Sequence, residues 1–481
     1  ETTSLGTNFQ KLEAATGANV SNHSYGVNLG WAQMANPVPG WYWIGNYELN
    51  SLDTYSGSYG TNDANFDKIV YSNPNHIIVK SAGNYYGNGP DNSSSVPIFK
   101  FDNASQTYIP FAPTDIIPAL NCSQGYNCIG WGSLAKNIIV VGATNQLATL
   151  NNSYTSASDV QKASFSSAGP RKDGAIKPDI SAVGSSLFAP RYTTTTPTSI
   201  NSYLPVSGTS MAAPIISGIA GAITQINRRL INNPQFVYKA DEMKALLTHT
   251  ANEAGNIGPD VWFGWGFADA RKAAELVIDK VNNTVTFERN ALINGTVFSK
   301  EVIAKGNEAL KATISWIDPA ATPFTTDQDL QNNHASRLVN DLDLRIIDTQ
   351  TNNIIYPWKL DINNPMANAT KGDNTVDNVE QVWVDNPVTG RKYRIEVTNK
   401  GSLVNDNGVS ASQDYTIIIT GYHNGSLSIN DKVNLPNRYV IYPNPTKGEF
   451  YITHTSNSKK GLSKFKIEVY DLAGKLLLQQ E

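Results

Sequence analysis

The segment that most restricts this chain is Ser207-Gly208-Thr209-Ser210-Met211-Ala212-Ala213-Pro214, together with the apolar pattern behind it. From Ser210 to Leu230, the residues Ile215, Ile219, Ile223, Ile226 and Leu230 recur at spacings of four, four, three and four. That period predicts one long helix with a single apolar stripe, which needs a layer to bury it. Gly208 precedes the helix, and Pro214 falls in its first turn, where a missing N–H costs little. Ser210 is thereby set at a helix mouth, where free N–H groups can receive a developing oxyanion. A plain Ser/Thr cap fits the same local pattern. Short aliphatic runs upstream supply the layer: residues 19–25 before Gly26, 76–81 before Gly83, and 138–141 before Gly142. Such runs suit strands buried on both faces of a parallel sheet. Helical patterns over 9–15, 62–71, 241–250 and 268–280 alternate with or follow them. The alternation predicts a three-layer α/β domain over residues 1–283, a parallel sheet with helices on both faces.

From residue 284 the texture changes to alternating strands over 313–317, 342–347, 391–397 and 415–421, separated by Asn/Asp/Gly/Pro turns. This predicts an all-β sandwich or jelly roll over 284–423. A polar linker is expected over 424–437. Residues 438–481, with the turn Tyr442-Pro443-Asn444-Pro445, are expected to begin a small Ig-like β-sandwich. Charged residues are 16% and the net charge is −4, with no Lys/Arg block, so no nucleic-acid partner is expected. No apolar run approaches the ~18 residues of a membrane span, so no transmembrane segment is expected. Cys122 and Cys128 are the only cysteines. They permit one small bridged loop if the compartment is oxidising, or two free thiols; a zinc site lacks a second Cys/His pair nearby.

The string from Ser207 to Pro214 resembles the nucleophile signature of the subtilisin-like serine proteases, with Ser210 as nucleophile. Other stretches agree in the family's order. Ser81-Ala82-Gly83-Asn84 resembles the oxyanion-hole segment, with Asn84 as side-chain donor. Asn22-His23-Ser24-Tyr25-Gly26 resembles the substrate-binding edge, where a peptide pairs backbone to backbone. The resemblance makes Ser24, Tyr25, Gly26, Ser81, Ala82 and Gly83 substrate-binding, with Gly26 and Gly83 keeping the specificity pocket open. Phe165-Ser166-Ser167-Ala168-Gly169-Pro170, Lys177-Pro178-Asp179-Ile180 and Phe263-Gly264-Trp265-Gly266 match structural landmarks. The family's Asp in an Asp-Thr/Ser-Gly turn and His in a His-Gly-Thr-His run do not occur. His23 lies inside the substrate-edge motif and reads as a surface or structural histidine. The resemblance starts near residue 1, the first residue is Glu1, and the last apolar run, Leu476-Leu477-Leu478, is unfinished. Both ends therefore look cut, and the general base and its orienting Asp are expected upstream of Glu1.

The β region resembles the jelly-roll domain that follows the catalytic domain in the alkaline-protease branch of this family. Members of that branch bind calcium there, which would make Asp341, Asp343, Asp373, Asp377 and Glu380 candidate ligands of a structural calcium ion. Asp341 and Asp343 share one face of a strand. Solvated surface acids are the plain alternative. Tyr442 to Gly448 and Val469 to Lys475 resemble the sorting domain of type IX secretion. The combined expectation is a secreted serine endopeptidase acting on protein or peptide substrates without an organic cofactor. It would reach the cell surface or medium through the periplasm, with the type IX machinery as partner. A different class stays open: a non-catalytic surface protein that binds a glycan or protein through the jelly roll.

Overall fold

The computed structural model describes residues 17–49, 53, 55–91, 96–190, 203–330 and 333–423, and the strands at 439–442, 451–454, 467–470 and 476–480. The expected helix at 9–15, the linker at 424–437 and the turn beyond Tyr442 lie outside the described residues.

Four strands, β1 (Val20–His23), β2 (Ile77–Ser81), β3 (Ile139–Thr144) and β4 (Ile180–Val183), form a parallel sheet in that order. Every residue of β2 and β3 is buried. Successive side chains point to opposite faces. Ile77, Val79, Ile139 and Val141 meet α2 (Thr209–Leu230), α3 (Ala240–Thr250) and α4 (Ala270–Val281) in one apolar core. Ile78 and Val140 meet Phe66, Ile69 and Val70 of α1 (Thr61–Ser72) in another. The three-layer expectation matches this arrangement.

Helix α2 departs from the sequence expectation in its rotation. Its deepest residues are Ala212, Ala213, Ile216, Ala220 and Ile223, whereas Ile215, Ile219 and Ile226 are only partly buried and Leu230 is exposed. Small side chains let the helix axis approach the sheet, so the alanines and not the isoleucines take the innermost line. By length and composition α2 could cross a membrane, contrary to the expectation that no such run exists. Its apolarity serves the α/β core.

An unanticipated four-stranded sheet is made from two excursions. Strands Trp31–Met34 and Gly40–Trp43 follow Gly26, and strands Ile98–Asp102 and Thr107–Pro110 follow Asn84. Aromatic contacts join the excursions: Tyr42 stacks on Phe99 at 4.7 Å, and Trp31 meets Phe111 at 5.7 Å.

The β region packs two antiparallel sheets, besides a short ladder of Trp358–Lys359 with Thr370–Lys371. One orders β5 (Thr286–Leu292), β11 (Gln413–Thr420), β7 (Leu310–Trp316) and β9 (Val379–Val384) side by side. The other contains β8 (Asp341–Asp348), β10 (Lys392–Lys400) and β6 (Phe298–Ala304), with short edges Ile354–Ile355 and Tyr422–His423. Ile314, Trp316, Val382 and Ile417 share one core with Leu342, Leu344, Ile395 and Val397, so the sheets pack face to face.

Contacts divide the chain into Glu1–Asn424 and Gly425–Glu481. In the first unit the α/β layers and the sandwich share buried polar links. His249 Nδ1 lies 2.8 Å from Thr313 Oγ1, Arg289 pairs with Asp241 at 2.9 Å, and Lys136 pairs with Asp318. Phe287 and Ile418 of the sandwich also enter the α/β core. In the second unit Tyr439–Tyr442 pairs with Tyr451–His454, and Ile467–Tyr470 with Leu476–Gln480, both antiparallel.

Candidate active site

Three chain ends of the α/β layers converge: the end of β1, the end of β2 and the start of α2. Ser210 lies in the first turn of α2, where backbone N–H groups have no intrahelical partner. Its hydroxyl donates to Ser24 O at 3.4 Å, and Ser24 Oγ donates to Ser210 O at 2.8 Å. These two bonds pin the segment after β1 against the helix mouth.

Asn84 stands three residues beyond β2. Its Oδ1 accepts two hydrogen bonds from Thr209, one from the backbone N and one from Oγ1, each 2.9 Å. Thr209 Oγ1 in turn accepts from Gly83 N at 3.1 Å. Because the Thr209 N–H can only donate, the amide orientation follows: Oδ1 is consumed and Nδ2 is left to donate. Nδ2 would lie 3.2 Å from a Cβ built on Gly208, so a side chain there would press on the amide. A carboxamide donor and the Ser210 backbone N both border the space beside Gly208, the arrangement an oxyanion requires. Sequence reasoning misses Thr209, although it sits inside the most specific string; its role is visible only once Asn84 is placed beside it.

The segment before Asn84 is held from several sides. Ala82 N donates to Val141 O at 3.0 Å, Ser133 Oγ to Ser81 O at 2.9 Å, and Ser167 N to Gly83 O at 2.9 Å. Gly83 has φ +110°, a left-handed value that favours glycine. On the other wall, Tyr25 O accepts from Lys80 Nζ at 2.5 Å, and that ammonium lies 4.1 Å from the Tyr25 ring. Burial pulls the Lys80 ammonium down to about 7, opposed by Asp63. Ser24 bonds Ser210 directly and Gly83 bonds Thr209, while Tyr25, Gly26, Ser81 and Ala82 adjoin them along the chain.

The expectation that Gly26 and Gly83 hold a pocket open is corrected by the side chain between them. A Cβ on Gly26 would meet Tyr85 Oη at 3.1 Å, and a Cβ on Gly83 would meet Tyr85 Cε2 at 2.7 Å. The glycines make room for the Tyr85 ring.

Among the described residues, the Ser210 hydroxyl is hydrogen-bonded to the Ser24 carbonyl and not to a His, Asp or Glu. His23 is structural and not at the surface: it is 1% exposed, with Nδ1 2.8 Å from Tyr25 Oη and Nε2 2.8 Å from Ser21 Oγ. Burial, then Lys80 and His76, lowers its pKa to about 3, so it stays neutral. Cys122 and Cys128 are joined, with Cα atoms 5.4 Å apart, and Cys128 N donates to Ala168 O.

The five carboxylates proposed for calcium do not form one ligand set. Arg345 and Lys400 sit among them, each within 2.7 Å of both Asp343 and Asp373. Asp377 lies apart, accepting from Ile176 N and Asn374 Nδ2. Glu380 is in β9, fully buried, not in a loop. Asp341 Oδ1 and Glu380 Oε1 accept no hydrogen bond among the described residues. Burial raises both groups, Asp341 to about 6 and Glu380 well above its ordinary value. An internal Arg and Lys repel a dication, and among the described residues no group of three or more His, Cys, Asp or Glu is placed to hold a metal ion, so these carboxylates do not fit calcium.

A family model described as the subtilase family matches residues 2–266, more than half of the chain. A second, described as a secretion system C-terminal sorting domain, matches residues 440–481. Serine protease AprX of Bacillus subtilis is 31% identical over 168 residues, covering 33% of this chain and 34% of its own length. C5a peptidase of Streptococcus pyogenes is 31% identical over 136 residues, covering 27% of this chain and 11% of its own. The chain spans about a third or less of the length of the curated relatives it matches. Among solved structures, fervidolysin of Fervidobacterium pennivorans, described as a keratinolytic enzyme related to subtilisin, is 14% identical. It covers 86% of this chain and 60% of its own, with a TM-score of 0.30.

Proposed function

Because this chain belongs to the subtilase family, we propose that it is a serine endopeptidase in which Ser210 is the nucleophile. Ser210 Oγ attacks the scissile carbonyl, and the carbonyl oxygen takes its charge toward Asn84 Nδ2 and the Ser210 backbone N–H. A histidine oriented by an aspartate, neither of which is hydrogen-bonded to Ser210 among the described residues, takes the Ser210 proton and passes it to the leaving amine. Water then hydrolyses the acyl-enzyme. The observation that carries the reading is the pair of bonds from Thr209 to Asn84 Oδ1, which turns Nδ2 toward the nucleophile's side of the site. A degenerate surface protein would have no use for that orientation, so a binding role for the β region alone is not favoured. The two-sheet sandwich is compatible with a jelly roll of the alkaline-protease branch. The sorting-domain match implies a secreted or cell-surface protein; we place its route through the periplasm, with the type IX machinery as partner.

The test is kinetic, in protein carrying its complete catalytic domain. Ser210→Ala is expected to abolish peptide hydrolysis. Asn84→Ala is expected to lower kcat with KM nearly unchanged, because its donor meets charge present only in the transition state. In subtilisin, the family's reference enzyme, losing this donor costs about 100- to 1000-fold; that magnitude is subtilisin's own, and a loss of similar order is expected here. Residues 1–481 alone are expected to turn over very slowly. Robust Ser210-dependent turnover by them would place the base within this chain and overturn that part of the proposal.

A further inference from the structure

The Tyr85 ring stands in the slot between the two walls of the site, and it comes directly after the oxyanion donor in the chain. It is held there by the backbone on both sides. Tyr85 N donates to Ser167 Oγ at 3.1 Å, and Asn88 N donates back to Tyr85 O at 3.1 Å. Ser167 N binds Gly83 O, so the same residue fixes one slot wall and the base of the ring. The ring then reaches across: its Cε2 edge faces Gly83, and its hydroxyl faces Gly26. Gly26 is two residues from Ser24, which is bonded to Ser210 in both directions, and Gly83 adjoins Asn84.

On the resemblance that makes Ser24–Gly26 the substrate edge, the side chain of the acyl residue would enter between Gly26 and Gly83, where the Tyr85 ring stands. That space is filled. We propose that Tyr85 is the specificity-determining residue of this site, closing the slot so that the chain accepts peptides with a small residue, glycine or alanine, on the acyl side of the cleaved bond. The inference rests on the reading of Ser210 and Asn84 as the reacting pair, and it goes further by naming the substrate class. An aromatic acyl residue and the Tyr85 ring compete for one volume. Burial of the phenol raises its pKa, so it enters the slot neutral and adds no charge preference.

The experiment uses the 481-residue chain and needs no turnover. Two product-like peptides with free C-terminal carboxylates, acetyl-Ala-Ala-Ala-Ala and acetyl-Ala-Ala-Ala-Phe, are titrated calorimetrically. The unaltered chain is expected to bind the Ala-ended peptide at least about tenfold tighter than the Phe-ended one. Tyr85→Ala is expected to reverse that order. Tyr85→Phe, which keeps the ring, is expected to preserve it. Tyr85→Leu, which leaves the Gly26 end open, is expected to fall between. A Phe preference in the unaltered chain, or an Ala/Phe ratio unchanged in both Tyr85→Ala and Tyr85→Leu, would overturn the assignment while leaving the site intact. Failure of every variant to bind either peptide would overturn the site reading itself, and this inference with it.

Discussion

Ser21 Oγ lies 2.8 Å from Nε2 of both His23 and His76, and His23 also packs edge-on against Phe66 and Tyr25. Among the described residues, Ser21, Tyr25, Phe66, His76 and Lys80 face His23, and Lys80 and His76 carry or acquire positive charge. Its folded pKa of about 3 lies below the ordinary value of 6.5, so the unfolded chain takes up the proton first as pH falls. Stability from this group is therefore complete above about pH 6.5 and is lost between there and about pH 3, by roughly 2 kcal/mol at pH 5. The expected outcome is a melting temperature that is level near neutral pH and falls steadily below 6.5. His23→Gln, which can still meet Ser21 and Tyr25, should flatten that fall. A slope unchanged by His23→Gln would assign acid sensitivity to other carboxylates or to His76. The His23 motif resembles a substrate edge in the sequence, but its burial does not follow from five residues of text.

Helix α2 brings Ser210 to the site and must lie close to the sheet to do so. Gly184 shows how close: a Cβ there would meet Ala143 Cβ at 2.6 Å and Gly208 O at 2.8 Å. Ala220 is wholly buried on this face, one helical turn from Ile216 and Ile223. Ala220→Leu is expected to lower stability by about 1–3 kcal/mol through overpacking. Ala222→Leu, on the exposed face, should stay within about 0.5 kcal/mol. Urea midpoints at constant slope would measure both, and equal effects would contradict a helix turned with Ala220 inward. The four-residue spacing of isoleucines correctly marks a helix and its length. It misplaces the innermost line because periodicity weighs side-chain size, while close helix–sheet packing selects for its absence.

At the scale of the molecule, the α/β layers and the sandwich belong to one unit despite their different textures. Asp241 is 2% exposed and receives both Arg289 and Thr416 Oγ1 from the sandwich. Lys136 reaches Asp318 and Pro319 O, and Arg171 reaches Val376 O. Breaking such contacts strands buried charges, which is far costlier than losing surface pairs. Calorimetry of residues 1–424 is therefore expected to show one cooperative transition spanning both parts. Ending the chain at residue 283 should expose Phe287's site in the α/β core and lower the transition sharply. Removing 425–481 should leave it unmoved. Two separate transitions within 1–424 would show that the sandwich folds independently.

Local chemistry in the sequence determined the alternation of strands and helices, the serine at a helix mouth, the Asn after a glycine-ended strand, and the change to antiparallel texture near residue 284. Each is written within a few consecutive residues, at the range where periodicity, capping and turn preferences act. Only the tertiary structure decided what those residues do to one another. Thr209 orients Asn84 across 125 positions, and Arg345 and Lys400 enter the acidic cluster from separate strands. Tyr85 fills a slot whose walls lie far apart in the chain, and an aromatic sheet is assembled from two excursions. Such contacts depend on which surfaces the packed layers bring within hydrogen-bond or van der Waals range, and side-chain reach of a few ångströms leaves no trace in sequence spacing.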